Sequence, residues 1–176
     1  MTRERFILLL EREQEGLLKF LLALCDGNYP EAEDLAQETS LKAYLSYNGY
    51  VEKFKFSTWL YRIAYNSFID HKRKKIIPTE PLEAGIYIEG NVNPDRMKFE
   101  GLYSAIDGLP LNEKTAILLF YMEDMKILDI AMIMRKPTGT VKSYLNRGII
   151  LTFLAAASFI LGSLPLINTN EWSKSA

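Results

Sequence analysis

The chain has 176 residues, 48% of them apolar and 24% charged, with a formal net charge of −1. That length suits one large domain or two small ones, and that apolar share suits packed cores rather than general disorder. A single cysteine, Cys25, and a single histidine, His71, exclude an internal disulfide, a cysteine-based metal cluster and a histidine-based zinc site. With no glycine-rich phosphate loop either, an enzyme is not expected, nor is a metal or cofactor. Cys25 reads as a buried helical thiol, and His71, in a basic run, as solvated or phosphate-facing.

Phe6 to Leu10 is a run of five apolar residues cut off by Glu11 and Arg12. That is too short for a secretory signal, so the chain is expected to start in the cytoplasm. Residues 3–25 are periodic, with Phe6, Leu9, Leu10, Leu17, Leu18, Leu21, Leu22 and Leu24 on the buried side of a helix. Asp26-Gly27-Asn28 breaks it. Pro30 opens a second helix to about Tyr47, with Glu31, Glu33 and Asp34 favourably placed at its positive end. Residues 1–40 hold nine acids against four bases, a net of −5, which suits a basic protein surface.

A loop, Ser46 to Lys55, turns at Asn48-Gly49. Ser57 is expected to cap a third helix running through Trp59, Leu60, Ile63, Ala64, Ser67 and Phe68 to Lys72–Lys75. Residues 52–75 hold seven bases against two acids, a net of +5, which suits a polyanion such as nucleic acid. Either charge run, alone, also reads as a solvated helix face.

Residues 76–100 read as an acidic linker broken by Pro78, Pro81 and Pro94. A second helical domain follows. Leu102–Leu109 is short, Asn112 is expected to cap a helix to about Glu123, and Ile127–Met134 starts a helical hairpin. After Asp129 that hairpin carries Arg135, Lys136, Lys142 and Arg147 and no further acid. Its second helix opens on Thr138 and Gly139 and turns Val141, Leu145 and Gly148 inward. Thr140, Lys142, Ser143, Tyr144, Asn146 and Arg147 are left largely outward, a polar, cationic front fit for a major groove. The bland alternative is a hairpin with a solvated basic face.

EAEDLAQETSLKAY (31–44) followed by FSTWLYRIAYNSFIDHKRK (56–74) resembles the first conserved domain of bacterial extracytoplasmic-function sigma factors of the sigma-70 family. AIDGLPLNEKTAILLFYMEDMKILDIAMIMRKPTGTVKSYLNRG (105–148) resembles their second, which binds the −35 promoter element. Both blocks stand in the family's order and cover most of residues 1–148.

The resemblance implies an alternative sigma factor that binds core RNA polymerase and directs promoter-specific initiation. Its partners would be core RNA polymerase, promoter DNA and an anti-sigma factor. Asp34, Leu35, Gln37 and Glu38 match the polymerase-binding positions. The loop before Trp59 and the helix after it would hold the −10 element, with Asn48, Tyr50, Asn66, Lys72, Arg73 and Lys74 as DNA contacts. Tyr47, Phe54 and Trp59 add stacking surfaces for a flipped base, although Trp59, sharing a face with Ile63, reads better as core. Thr140, Lys142, Ser143, Asn146 and Arg147 match the recognition-helix positions. Ser40 departs from the family's large apolar residue. Tyr65 and Tyr144 stand where arginine is common, removing a cation from each DNA surface.

The larger departure is the tail. Gly148 to Ile167 carries no charge, and twenty helical residues would span about 30 Å, close to a bilayer's hydrocarbon core. A transmembrane anchor at the inner face of the cell membrane, a frameshifted end and a soluble helix folded back on the domains all fit. The architecture expected is therefore all-α: a polymerase- and −10-binding domain over 1–75, a linker over 76–100, a helix-turn-helix over 101–148 and a hydrophobic tail over 149–176. The rival function is a transcriptionally defective or membrane-tethered binding protein that sequesters polymerase or an anti-sigma factor.

Overall fold

The computed structural model describes residues 1–76 and 100–163, all in helices, turns and short loops with no strand among them. Thr2 caps α1 (Arg3–Leu24) by accepting from the Arg5 backbone N–H, and Leu17, Phe20, Leu21 and Leu24 line its inner face. The helix stops because Asp26 and Gly27 both take left-handed backbone angles. Asn28 then caps α2 (Tyr29–Ser46), accepting from Glu31 N–H, with Pro30 in the first turn.

A single 3-10 turn, Tyr47–Gly49, follows, and α3 runs Phe56–Ile76. Ser57 does not cap it. The Lys55 carbonyl takes the Trp59 N–H, so the helix is already under way at Phe56. His71 is half-buried rather than solvated, with Nε2 3.2 Å from Glu31 Oε1 and Lys75 Nζ on the other carboxylate oxygen. Cys25 is buried, and burial, with Glu31 adding, pushes its thiol up to about 12. It is protonated and unreactive at any ordinary pH.

The second half comprises α4 (Glu100–Asp107), α5 (Leu111–Ile117) with a π-helical extension Leu118–Met122, α6 (Ile127–Met134) and α7 (Thr138–Ser163). Asn112 is inside α5 rather than at its cap. Pro110 is extended and its carbonyl accepts from Lys114, the first bond of the helix. Likewise the Pro137 carbonyl, accepting from Val141 N–H, starts α7, and Thr138 is its first helical residue. The turn between α6 and α7 is made by Arg135 at φ 53°, not by Gly139, around which a Cβ would meet nothing.

The two halves share one apolar core. It runs from Phe6 and Phe20 through Leu60 and Phe68 to Leu119, Ile130 and Val141 without a break. α3 packs along α6, and α1 meets both α5 and its π-helical extension.

The tail expectation needs correcting. No helix of the described residues is long and apolar enough to cross a membrane, so the anchor expected over 149–167 finds no support there; residues 164–167 lie outside the described residues. The stretch begins instead as an unbroken continuation of the hairpin's second helix, and α7 packs against α4 and α5. Gly148 permits this: a Cβ there would lie 2.7 Å from Ile117 Cγ1. Beyond it Ile150, Phe153 and Leu154 are exposed.

Gly148→Ala is therefore expected to destabilise the fold by about 1–3 kcal/mol, the usual cost of overpacking. Urea unfolding followed by circular dichroism measures it, and unchanged stability would mean that α7 does not need this approach.

Candidate nucleic-acid interface

The recognition surface begins with α7. Val141, Leu145 and Gly148 are buried, as their spacing requires, and Lys142, Ser143 and Asn146 are exposed. Ser143 donates back to the Gly139 carbonyl. Thr140 and Tyr144 lie on the shoulder and are only partly exposed. Arg147 is held at the base of the helix: Nε and Nη2 reach Glu113 Oε1 at 2.9 and 2.8 Å. Its guanidinium also lies 5.2 Å from the Tyr144 ring centroid.

A second surface surrounds the loop before α3. Phe6, Tyr47, Tyr50, Phe56 and Trp59 form a chain of ring contacts, among them Phe6–Tyr47 at 5.3 Å and Tyr50–Trp59 at 5.4 Å. Tyr50 also donates to the Phe54 carbonyl. The loop is thus braced from beneath, while Asn48 and Phe54 are exposed on top. Trp59 packs against the core, as expected from the face it shares with Ile63. Asn66 is half-exposed, Arg73 and Lys74 are exposed, and Lys72 lies 5.4 Å from the Phe68 ring centroid.

The acidic helix contributes a third surface. Asp34, Gln37 and Glu38 are exposed, but Leu35 is 1% exposed and belongs to the core. Glu38 pairs with Lys42, whose ammonium also reaches Ser67 on α3 at 3.0 Å. A cleft of about 300 Å³ between α2 and α3 brings Glu38 and Lys42 beside Asp70, Arg73 and Lys74. The acidic surface and the basic arm therefore adjoin.

The three surfaces sit in one body because of a polar seam between the halves. Tyr61, fully buried on α3, donates its hydroxyl to Glu123 at the end of the π-helical turn. Gly16 of α1 closes over both: a Cβ there would fall 2.8 Å from the Tyr61 oxygen and 3.1 Å from Glu123 Oε2. Nearby, Lys114 is 3% exposed and reaches Asp26 Oδ1 at 2.6 Å and Asp107 Oδ1 at 2.9 Å. Burial raises the Tyr65 hydroxyl on α3 above its ordinary range, and Tyr144 of α7 adds to the shift. Tyr65 of α3 and Tyr144 of α7 therefore lie within electrostatic reach of each other.

Residues 9–75 match the model of sigma-70 region 2, and residues 99–150 match that of sigma-70 region 4. The chain is 36% identical over 137 residues to the ECF RNA polymerase sigma factor SigW of Bacillus subtilis, covering 69% of this chain and 73% of SigW.

The chain belongs to the extracytoplasmic-function sigma factors.

It is 30% identical to the RNA polymerase sigma-H factor of Pseudomonas aeruginosa, over 84% of this chain and 91% of that one. The fold is shared with Bartonella quintana RpoE, solved in complex with the anti-sigma factor NepR, at a TM-score of 0.66 and 22% identity over 87% and 94% of the two chains. CnrH, solved with the cytosolic domain of CnrY, gives 0.68 and 16% over 89% and 90%. The protein is an alternative sigma factor directing transcription initiation.

Within this sigma factor, sequence reasoning missed the seam. Tyr61, Lys114 and Glu123 look ordinary one at a time, and no periodicity pairs residues 62 positions apart. Gly16 was the available signal, since glycine inside a helix costs about 1 kcal/mol relative to alanine and needs a packing reason.

Burial raises the Glu123 carboxyl above its ordinary value, Glu13 adding, while the Tyr61 hydrogen bond and Lys19 oppose the shift. A carboxyl raised on folding binds more protons in the native state, so the stability it contributes falls as pH rises through its folded pKa. Glu123→Gln keeps an acceptor for Tyr61 without the buried charge. It is expected to stabilise the protein at pH 7 and to change little at pH 4, measured by urea unfolding at both. A loss of stability at pH 7 would contradict this.

Proposed function

We propose that this sigma factor grips core RNA polymerase with the exposed face of α2 and engages promoters through two surfaces on opposite halves. Asp34, Gln37 and Glu38 meet the polymerase, while Leu35 supports them from the core. The braced loop and α3 hold the −10 element, with Asn48, Tyr50 and Asn66 facing unstacked bases and Lys72, Arg73 and Lys74 on phosphates. Thr140, Lys142, Ser143 and Asn146 on α7 read the −35 element. Its work is binding and positioning, not catalysis. An anti-sigma factor is the expected regulator.

The observation that carries this reading is the paired arrangement itself: an outward-facing helix-turn-helix and a braced aromatic loop ending in a basic helix. The same arrangement sets a requirement. The two elements are about 25 base pairs apart, roughly 85 Å at ~3.4 Å per pair, whereas α7 is only about 39 Å long at ~1.5 Å per residue. With the two halves closed on one core, both elements cannot be engaged at once. The seam opens on the way to the promoter complex.

Run-off transcription with bacterial core polymerase and a promoter library tests the reading, and promoter-specific transcripts are expected. Core binding without any transcript would favour the sequestering function instead. Replacing Asp34, Gln37 and Glu38 together by alanine is expected to weaken core binding about tenfold or more. Replacing Lys72, Arg73 and Lys74 by alanine should lower the salt dependence of promoter binding by about 2–3 in log–log slope. An unchanged slope would remove these three from the phosphate contacts.

A further inference from the structure

Arg147 and Glu113 do not fit the role that position in a recognition helix suggests. Glu113 is 7% exposed, on α5, beneath the helix that reads DNA. Its Oε1 accepts from Nε of Arg147 at 2.9 Å, and Nη2 lies 2.8 Å from the same oxygen as an ion pair. One residue further on, Gly148 presses α7 onto Ile117, with the Glu113 carbonyl 3.5 Å from where its Cβ would be. The Tyr144 ring, one turn back, lies against the same guanidinium. Arg147 is therefore held by Glu113 and the Tyr144 ring, although its side chain is half-exposed.

We infer that Arg147 is a positioning residue that fixes the pitch and rotation of α7 through Glu113, and that it is not a reader of the −35 element. This rests on the assignment of α7 as the −35-reading helix. A buried carboxylate stripped of its counter-ion is strongly unfavourable, more so than one base contact is favourable. Turning Arg147 toward DNA would therefore weaken the helix that presents it.

Positioning also has leverage. A side-chain tip lies about 5–6 Å from the helix axis, so a 20° rotation of α7 displaces Lys142, Ser143 and Asn146 by about 2 Å. That exceeds the tolerance of a hydrogen bond. Val141, Leu145 and the Gly148 approach hold the helix down, and the guanidinium, hydrogen-bonded and ion-paired to one buried carboxylate, adds a directional constraint on its rotation. The base preference then belongs to Lys142, Ser143 and Asn146, exposed polar residues of the front that are not tied to a buried carboxylate.

The test uses holoenzyme assembled from core polymerase and the full chain, on promoters with a fixed −10 element and a randomised −35 element. Three quantities are read: affinity, base ranking and salt slope. R147A is expected to weaken binding about tenfold on every −35 sequence, with the ranking of bases and the salt slope unchanged. E113A, which frees Arg147 instead of removing it, is expected to give the same loss, and the double variant no more than either single. Where a single variant fails to fold, E113M/R147M, an apolar pair of similar reach, is expected to fold and to recover most of the affinity.

The inference is overturned if R147A relaxes the preference at one base position, or lowers the slope by about 1 as a lost phosphate contact would. Wild-type or tighter binding by E113A overturns it too, as does a folded E113M/R147M that binds no better than R147A. If the parent holoenzyme shows no −35 preference at all, the assignment of α7 fails, and the inference with it.

Discussion

Tyr61 is wholly buried among apolar side chains, yet it carries a hydroxyl that must find a partner. A buried hydroxyl left unpaired costs about 1–3 kcal/mol, and its acceptor here is Glu123, from the other half of the chain. Gly16 leaves the space that both oxygen atoms occupy. The hydrogen bond is thus more than a local detail. It is satisfied only while α1, α3 and the end of the α5 extension remain together. The shared apolar core around it, from Phe20 to Ile130, depends on the same closure.

The charges divide into two groups with different work. Lys114, Glu113 and Glu123 are buried or half-buried and hold elements against each other; removing one partner leaves the other stranded. Asp34, Glu38, Lys74 and Lys142 are exposed, where ion pairs contribute little to stability and salt screens them. The exposed group is free to meet polymerase and DNA. Arg147 spans both groups, with a half-exposed side chain tied to a buried carboxylate.

Helix existence and order were legible because α1, α4 and α6 carry a clear 3.6-residue pattern and the chain has clear stops: Asp26-Gly27, the Asn48-Gly49 turn, and Pro110. Capping was not legible: the Asn28 cap was not foreseen, and Ser57 and Asn112 were expected as caps and are not. Both are good capping residues that lie one or two positions inside helices started by the carbonyls of Lys55 and Pro110. The exposed members of the candidate sites came from the family's motif; Leu35 came with them, although its helical spacing from Ala32, Thr39 and Ala43 puts it on the buried face. Hydropathy along the tail did not reveal that Gly148 docks the helix on Ile117. The seam was invisible because it is made by single residues far apart in the chain. The ring braces around Tyr50 and Trp59 were half-visible, as aromatic density without pairing.

The closed body and the two separated promoter elements make opposite demands on the same chain. The direct measurement is the distance between paired labels on cysteines introduced at Glu33 and Lys136, exposed positions on opposite halves. Cys25 does not interfere, its thiol being buried and pushed up to about 12. The free protein should give one short, narrow distance, and the complex with core polymerase and promoter DNA a distance longer by tens of Å. The same short distance in a transcribing complex would contradict the opening of the seam.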